Sequence, residues 1–246
     1  MTTKTVAREK PLTGRVPRAA IGMLEIPRLA REVLDGYHGL PDLCGMTSDA
    51  CDELGIVGAI AASTLRPTAS GVRVVGQALT VLNLPLRVSV REAVAGKVSR
   101  LGEIEAHNLA QPGDVLVIQG VRDISNMGSI SASIGKRQGE AGAIVDGAVR
   151  DIDHSRAIGY PIWSSSVSPI TGKWRVETVA INVPVRIATI QVCPGDLVLA
   201  DEVGVCFVPR ERAEEVLQRA ERIAEREEKR QGDIAAGVSV VDLAKK

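Results

Sequence analysis

Along most of the chain, short apolar runs with strand-like spacing alternate with runs of helical spacing. The central part repeats one order, in which PGDVLVIQG predicts a turn and a strand and NMGSISASIGKRQG predicts a helix entered at a glycine. AGAIVDGAV and DIDHSRAIG then predict a second strand and a second helix. Because strands joined through helices pair in parallel with right-handed crossovers, this order predicts an α/β fold around a parallel sheet.

The segments on either side of this centre predict further elements of both kinds. Helices are predicted over residues 26–34, from Thr47 or Ser48 as N-cap to Gly55, and over REAVAGKVSRLGEIEAHNLA up to Pro112. Strands are predicted in GVRVVGQALTVLNLPL, YPIWSSSVSP, ETVAINVPVRIATIQV and PGDLVLADEVGVCFVPRE, and a long charged amphipathic helix follows them.

The start of the chain differs from the rest in its pattern. Residues 1–22 are polar, contain proline and have no apolar periodicity, so a loose arm that docks on a neighbour is predicted there. Residues 23–246 are long enough to bury one core, and we expect them to form one domain that includes the C-terminal helix.

Composition excludes several classes of function. Thirty basic residues balance 30 acidic ones, and the five aromatic residues offer few stacking surfaces, so nucleic acid is not an expected partner. No apolar run reaches the ~18 residues of a membrane span, and the first twenty residues lack a signal-peptide core, which favours a cytoplasmic protein without a membrane partner. The four cysteines and three histidines form no zinc motif.

Candidate chemistry lies where the predicted central strands end. Gly128 opens a helix whose first amides, those of Ser129, Ile130 and Ser131, are free to hold an anion. The strand AGAIVDGAV ends on Arg150 and Asp151. Because ligands of open α/β sheets collect beyond the carboxyl ends of the strands, these groups are expected to face one site.

Arg150 and Asp151 suggest a division of labour at such a site. An arginine fork suits a carboxylate, whereas an aspartate offers a hard oxygen to Mg²⁺ or Mn²⁺. A bound 2-oxo acid would place its carboxylate on Arg150 and the helix amides and its keto oxygen on the metal, which would stabilise an enolate. The alternative use of the pair is a structural salt bridge.

The segment GSISASIGKRQGEAGAIVDGAVRDIDHSRAIGYPIW resembles the centre of the family named for the regulator of ribonuclease activity A. This family includes the 4-hydroxy-4-methyl-2-oxoglutarate and 4-carboxy-4-hydroxy-2-oxoadipate aldolases. The likeness extends from TSDACDELG to PGDLVLADEVGVCFVPRERAEEV and covers most of residues 43–237. The resemblance implies a layered β/β/α swivelling-domain fold, assembled as a homotrimer or homohexamer with sites between subunits.

The resemblance also implies roles for individual residues. Arg150 would bind the pyruvyl carboxylate, Asp151 would hold the metal, and the amides after Gly128 would hold the substrate. The family's acid falls on Ser129, which is a departure, because that acid is thought to help move the proton in retro-aldol cleavage. Two further carboxylates come in relatives from an adjacent subunit, and here they correspond to Asp49 and to Glu227, or to Glu228 or Glu225 if the register slips. The alternative for each of them is an exposed charge on a helix.

These observations favour a divalent-metal-dependent lyase acting on a short 2-oxo acid. Ser129 in place of the acid favours oxaloacetate decarboxylation, or an unfamiliar substrate, over aldol cleavage, because decarboxylation needs no base for a substrate hydroxyl. The alternative implied by the resemblance is a non-enzymatic protein that binds and regulates a ribonuclease. Methyl transfer is a third and weaker hypothesis, since no glycine-rich dinucleotide-type loop follows the first strand.

Overall fold

The structure of the protein is a computed structural model that describes residues 11–245. The first ten residues of the predicted arm lie outside the described residues. The strands are β1 (Ala59–Ala61), β2 (Arg66–Pro67), β3 (Val74–Pro85), β4 (Asp114–Gln119), β5 (Ser125–Met127), β6 (Gly142–Val149), β7 (Ile162–Val167), β8 (Val176–Ile181), β9 (Val185–Ile187), β10 (Ile190–Val192), β11 (Leu197–Ala200) and β12 (Gly204–Val208). The helices are α1 (Arg31–Gly39), α2 (Leu43–Glu53), α3 (Val90–Ala95), α4 (Glu103–Leu109), α5 (Ser129–Gln138), α6 (Ile152–Ala157), α7 (Ala213–Ala235) and α8 (Val240–Leu243). Short 3-10 turns occupy Arg18–Ala20, Gly172–Trp174 and Arg210–Arg212.

One large mixed sheet organises the fold. Its strands lie in the order β1-β12-β11-β3-β4-β6-β7-β2, with β5 paired to β6 and β8 paired to β3. The central pairs β3–β4, β4–β6, β5–β6 and β6–β7 are parallel, and the outer pairs are antiparallel. The parallel order of β4, α5, β6, α6 and β7 confirms the predicted βαβα arrangement.

The two faces of this sheet are covered by different layers. Leu116 and Ile118 of β4 pack with apolar residues of α4 and α5, whereas α1, α2 and α7 cover the same face at β11 and β12. Val115 and Val117 point to the opposite face, where they pack with the β9–β10 hairpin. The alternation along each strand therefore builds a small sheet, a large sheet and a helical layer. This arrangement confirms the predicted layered α/β class.

The helix predicted over residues 26–34 is wrong in position, because α1 begins only at Arg31. The side chain of Gln77 on β3 accepts a hydrogen bond from the Leu29 amide and donates one to the Pro27 carbonyl, both at 2.9 Å. Pro27 also disfavours helical geometry at the residue before it. Bonds to the sheet therefore override the local helical spacing.

The start of α2 also differs from the prediction. Asp42 is the N-cap, and its carboxylate accepts a hydrogen bond from the Gly45 amide at 3.1 Å. Thr47 and Ser48, the predicted caps, lie inside the helix, and the Thr47 hydroxyl donates to the Leu43 carbonyl instead. The predicted end is confirmed, because Gly55 follows the helix in the left-handed region at φ +67°.

The single helix predicted before Pro112 is in fact two helices. After α3, Lys97 adopts a left-handed φ of 53°, and Arg100 forms a bridge to Glu177 of β8 before α4 begins. Pairing with the start of β8 thus interrupts the helical pattern. The predicted end of the segment is confirmed, since α4 stops at Leu109.

Residues 11–22 of the predicted arm pack against the domain rather than extending loosely from it. Val16 and Ile21 are buried in the core under α4, and Ile21 pairs with Ile181 of β8. The buried carboxylate of Glu105 accepts hydrogen bonds from the Thr13 amide and hydroxyl and from the Gly14 amide. The packing shows no break at residue 22. The domain boundary there stays a prediction.

Within the described part of the chain, no helix combines the length and the apolar character needed to cross a membrane.

Candidate functional site

The parallel strands β5 and β6 end side by side and bring two distant segments together. Met127 and Val149, their last residues, are partners in the sheet, and the Arg150 amide donates to the Met127 carbonyl at 3.2 Å. Gly128 and Arg150 therefore leave adjacent strands at the same edge. This meeting was predicted at the ends of consecutive strands, but the strand β5, which supplies one of the two segments, was not predicted.

Gly128 permits a close approach between these segments. A Cβ atom at this position would lie 2.8 Å from Asp151 Oδ2 and 3.2 Å from Arg150 Nε, so any larger residue would displace the charged pair. Gly128 is extended, and α5 begins at the next residue. The first turn of a helix leaves its amides without intrahelical partners, and the Ser129 amide uses this freedom to bond Asp151.

Asp151 is held in one orientation by its neighbours. Its backbone is left-handed, with φ 55° and ψ 38°, a region that aspartate and asparagine tolerate better than most residues. Its Oδ2 accepts hydrogen bonds from the Ser129 amide at 3.0 Å and from the Ser129 hydroxyl at 2.9 Å, with Arg150 Nε 3.7 Å away. Among residues 11–245, no side chain or amide donates to Oδ1, so this oxygen is available to a ligand.

The same contacts keep Asp151 ionised. The Ser129 amide contributes most to lowering the pKa of Asp151 below its ordinary value, and the Ser129 hydroxyl and Arg150 lower it further. A lowered pKa means that the carboxylate stays charged to lower pH than a free aspartate. The group can therefore bind a cation at neutral and mildly acidic pH.

These residues line a cleft of about 350 Å³ beside the start of α5. Among the described residues, the cleft wall carries three cationic and two acidic side chains: Arg15, Arg150, Lys173, Glu103 and Asp151. Burial raises the pKa of Glu103. A cleft with this charge balance suits a small organic anion together with a cation.

Three of these cleft residues were missed by the sequence analysis. Arg15 lies in the predicted arm, Glu103 opens α4, and Lys173 lies in a 3-10 turn before β8. Each comes from a segment far from Arg150 along the chain and carries no motif. Only their common position at the cleft distinguishes them from ordinary surface charges.

The donor set fits Mg²⁺ or Mn²⁺ held by one protein carboxylate. Asp151 offers an ionised, oriented carboxylate with one unpaired oxygen, which is the ligand type that hard cations prefer. Within residues 11–245, no three His, Cys, Asp or Glu side chains cluster closely enough to enclose an ion. Substrate oxygens and water would therefore complete the coordination, as is common for Mg²⁺.

The other two predicted carboxylates lie elsewhere in the chain. Asp49 on α2 and Glu227 on α7 are exposed and line one cleft of about 720 Å³, which shares no residue with the cleft of Arg150 and Asp151. Glu228 and Glu225, the alternatives to Glu227, line a different neighbouring cleft. Within one chain these groups do not reach Asp151, and their delivery by an adjacent subunit stays a prediction.

Ser129→Ala is expected to raise the pKa of Asp151 part of the way towards its ordinary value. The variant loses the hydroxyl bond and keeps the amide bond, which is the larger cause of the lowering. Carboxyl ¹³C NMR across a pH titration measures the change, with Thr171→Ala, another cleft hydroxyl, as the control. An unchanged pKa in Ser129→Ala would show that the hydroxyl does not bind the carboxylate in solution.

Comparisons with known proteins agree with this fold. The sequence model of the family described as RraA-like: Aldolase/RraA matches residues 47–207. A putative 4-hydroxy-4-methyl-2-oxoglutarate aldolase of Halalkalibacterium halodurans is 31% identical over 207 residues, which cover 83% of this chain and 90% of that protein. Protein DlpA of Legionella pneumophila is 29% identical over 190 residues, which cover 77% of this chain and only 30% of DlpA.

A solved structure supports the same relationship. The Streptomyces coelicolor protein RraAS2, described as an unusual member of the RNase ES inhibitor RraA protein family, superposes with a TM-score of 0.69 at 29% identity. The superposition covers 83% of this chain and 98% of the Streptomyces chain. The family match spans more than half of the sequence, and the resemblance seen in the sequence is confirmed. The chain belongs to the RraA-like family, Aldolase/RraA.

Proposed function

We propose that this protein is a divalent-metal-dependent lyase that acts on short 2-oxo acids and releases pyruvate. The reaction would be retro-aldol cleavage of 4-hydroxy-2-oxo acids, decarboxylation of oxaloacetate, or both. The observation that carries the proposal is the ionised Asp151, fixed by Ser129 beside Arg150, with one oxygen free at the cleft. The relative named as a putative 4-hydroxy-4-methyl-2-oxoglutarate aldolase supports the same class of reaction.

In this proposal each group of the cleft has a separate task. Arg150 and the amides at the start of α5 bind the substrate carboxylate, because a guanidinium and a helix N-terminus both favour an anion. Asp151 would hold Mg²⁺ or Mn²⁺, which supplies positive charge where the enolate oxygen develops. Lys173 and Arg15 at the same cleft add positive potential that attracts an acid substrate.

The proposed assembly is a homotrimer or homohexamer in the cytoplasm. In such an assembly Asp49 and Glu227 of a neighbouring copy would complete the cleft, because one chain alone holds them in a separate pocket. Their carboxylates would add oxygen ligands close to the metal or help to move a proton. Small 2-oxo acids, and not nucleic acid, are the proposed ligands.

Removal and restoration of the metal tests this function. Pyruvate release from oxaloacetate and from 4-hydroxy-4-methyl-2-oxoglutarate is measured by coupling to lactate dehydrogenase, after chelation and after addition of Mg²⁺ or Mn²⁺. We expect release from at least one substrate, its loss on chelation and its recovery with metal. If neither substrate yields pyruvate under any of these conditions, the proposed function is wrong.

A second candidate is a regulator that binds a ribonuclease without catalysis. It is favoured by the Streptomyces structure, whose description places that protein among RNase ES inhibitors. The test is a pull-down with a purified RNase E-type enzyme together with Mn²⁺ titration. Recovery of the ribonuclease in the absence of metal binding would favour this candidate over the lyase.

A further inference from the structure

A chain of buried hydrogen bonds leads from the interior to the cleft. His107 on α4 is fully buried, and its Nδ1 lies 2.7 Å from Glu140 Oε1. Its Nε2 lies 2.7 Å from the hydroxyl of Ser131, a residue that lines the cleft in the first turn of α5. The second oxygen of Glu140 accepts a hydrogen bond from the Tyr160 hydroxyl at 2.6 Å. The proposed lyase mechanism leaves the side chains of these four residues unused.

The donors in this series of hydrogen bonds determine which nitrogen of His107 carries the proton. Burial and the neighbouring Glu140 raise the pKa of Tyr160, so its hydroxyl stays protonated and donates to the carboxylate. A carboxylate that already accepts from Tyr160 accepts the Nδ1 proton of His107 as well. When the His107 ring carries a single proton, that proton lies on Nδ1, and Nε2 accepts the hydroxyl proton of Ser131. This is the arrangement of hydroxyl, imidazole and carboxylate that activates serine in acyl-transfer enzymes.

The position of Ser131 places one end of this hydrogen-bonded series where a substrate would bind. All four members of the network are buried, and Ser131, at one end of it, is also a residue of the cleft wall, so the network connects to the cleft. A second serine of the same helix provides a comparison. Ser133 bonds His154 Nε2 at 2.8 Å, but both residues are exposed and neither lines the cleft.

We propose that Ser131 is the catalytic base and proton donor of the cleft, with His107 and Glu140 as the positioning residues that take up and return its proton. This inference rests on the proposed lyase function. It assigns a use to side chains that share no motif and that lie 24 and 33 residues apart along the chain.

Every proton that moves in retro-aldol cleavage can be accounted for within this series of hydrogen bonds and the substrate. The Ser131 oxygen accepts the proton of the substrate 4-hydroxyl while its own proton passes to His107 Nε2. The C4 oxygen becomes a carbonyl, the C3–C4 bond breaks, and its electron pair forms the pyruvate enolate. The proton on Nε2 then returns through the serine oxygen to C3 and completes the methyl group of pyruvate. No external acid or base is consumed, and Glu140 balances the transient charge on His107.

Decarboxylation makes a different demand on the same cleft. Oxaloacetate has no 4-hydroxyl to deprotonate, and loss of carbon dioxide needs only stabilisation of the enolate. The released enol can take its proton from water. The proposal therefore predicts that changes at Ser131 separate the two reactions.

The test compares both reactions in Ser131→Ala, Ser131→Thr and the control Ser133→Ala. In Ser131→Ala we expect kcat for cleavage of 4-hydroxy-4-methyl-2-oxoglutarate to fall by about a hundredfold, as for loss of a general base, and kcat for decarboxylation of oxaloacetate to fall far less. Ser131→Thr keeps the hydroxyl and should recover most of the cleavage, and Ser133→Ala should leave both reactions unchanged. Thermal unfolding of each variant confirms that the fold is retained.

Each other outcome has a defined meaning. If Ser131→Ala leaves cleavage intact or lowers both reactions equally, or if the wild type only decarboxylates, the proton relay is wrong and the lyase function stands. If the wild type turns over neither substrate, the lyase function fails and the relay fails with it.

A second readout requires neither metal nor turnover. The chain has three histidines, so ¹⁵N NMR can follow the His107 ring directly. We expect a proton on Nδ1, an accepting Nε2, and a shift of the Nε2 resonance in Ser131→Ala but not in Ser133→Ala. A proton found on Nε2 of the neutral ring would reverse the hydrogen bond to Ser131 and overturn the proposal.

Discussion

Replacing Asp151 by asparagine is expected to lower kcat/KM for pyruvate release by about a thousandfold while the fold is retained. Asparagine has the same shape, tolerates the left-handed backbone at this position and can still accept the Ser129 bonds through its amide oxygen. What it lacks is the negative charge. A loss of activity is therefore attributable to loss of the cation and not to strain, which an alanine at φ 55° would introduce.

Asp153→Asn is the matched control for this prediction. Asp153 lies two residues further on, its side chain is 96% exposed, and its ion pair is with Arg156 on the same helix. We expect Mn²⁺ affinity, followed by calorimetric titration, to fall in Asp151→Asn and to stay at the wild-type value in Asp153→Asn. Wild-type activity and metal affinity in Asp151→Asn would remove the basis of the proposed metal site.

Replacing Glu140 by alanine is expected to lower the free energy of unfolding by about 3–5 kcal/mol. The side chains of Glu140 and His107 are fully buried, and the carboxylate satisfies both His107 Nδ1 and the Tyr160 hydroxyl. Without it, two buried donors lose their partner, and each unsatisfied group costs about 1–3 kcal/mol. A urea titration measures the change in unfolding free energy.

Glu177→Ala provides the comparison, because its partner Arg100 is 57% exposed. Exposed ion pairs contribute about 0–1 kcal/mol, so this variant should unfold close to the wild type. The loss of unfolding free energy in Glu140→Gln should lie between those of Glu140→Ala and Glu177→Ala, since an amide oxygen can still accept one of the bonds. Equal losses in Glu140→Ala and Glu177→Ala would mean that the buried carboxylate is not paired as described.

The elements that the sequence predicted well are those whose pattern is local. The strands β4 and β6 and the helices α5 and α6 each carry their own periodicity, glycine start or proline end, and all four were predicted. The strand β5 was missed because it is three residues long and reads Ser125, Asn126, Met127, with no apolar alternation. Its polar side chains are buried only because β6 lies beside it and carbonyls accept the Asn126 amide.

The difference between local pattern and tertiary packing also explains which residues of the candidate site could be predicted. Gly128, Arg150 and Asp151 could be brought together from the sequence, because parallel strands of one crossover end at one edge. Arg15, Glu103 and Lys173 could not, because their approach depends on how the arm, α4 and a 3-10 turn pack. The partners His107 and Glu140 were missed for the same reason, since nothing in their spacing indicates that they share a hydrogen bond.

The anchoring of the arm by Glu105 has a consequence for how the cleft selects among acids. Thr13 and Gly14 are tied to α4, and Arg15, the next residue, is thereby held at the cleft wall. Without Arg15 the described wall would carry two cations against two carboxylates, and its attraction for a doubly charged acid would fall relative to a singly charged one. In the proposed lyase, residues 11–22, which add no strand to the large sheet, would thus set part of the charge selectivity, and removing them would alter which acids the cleft prefers.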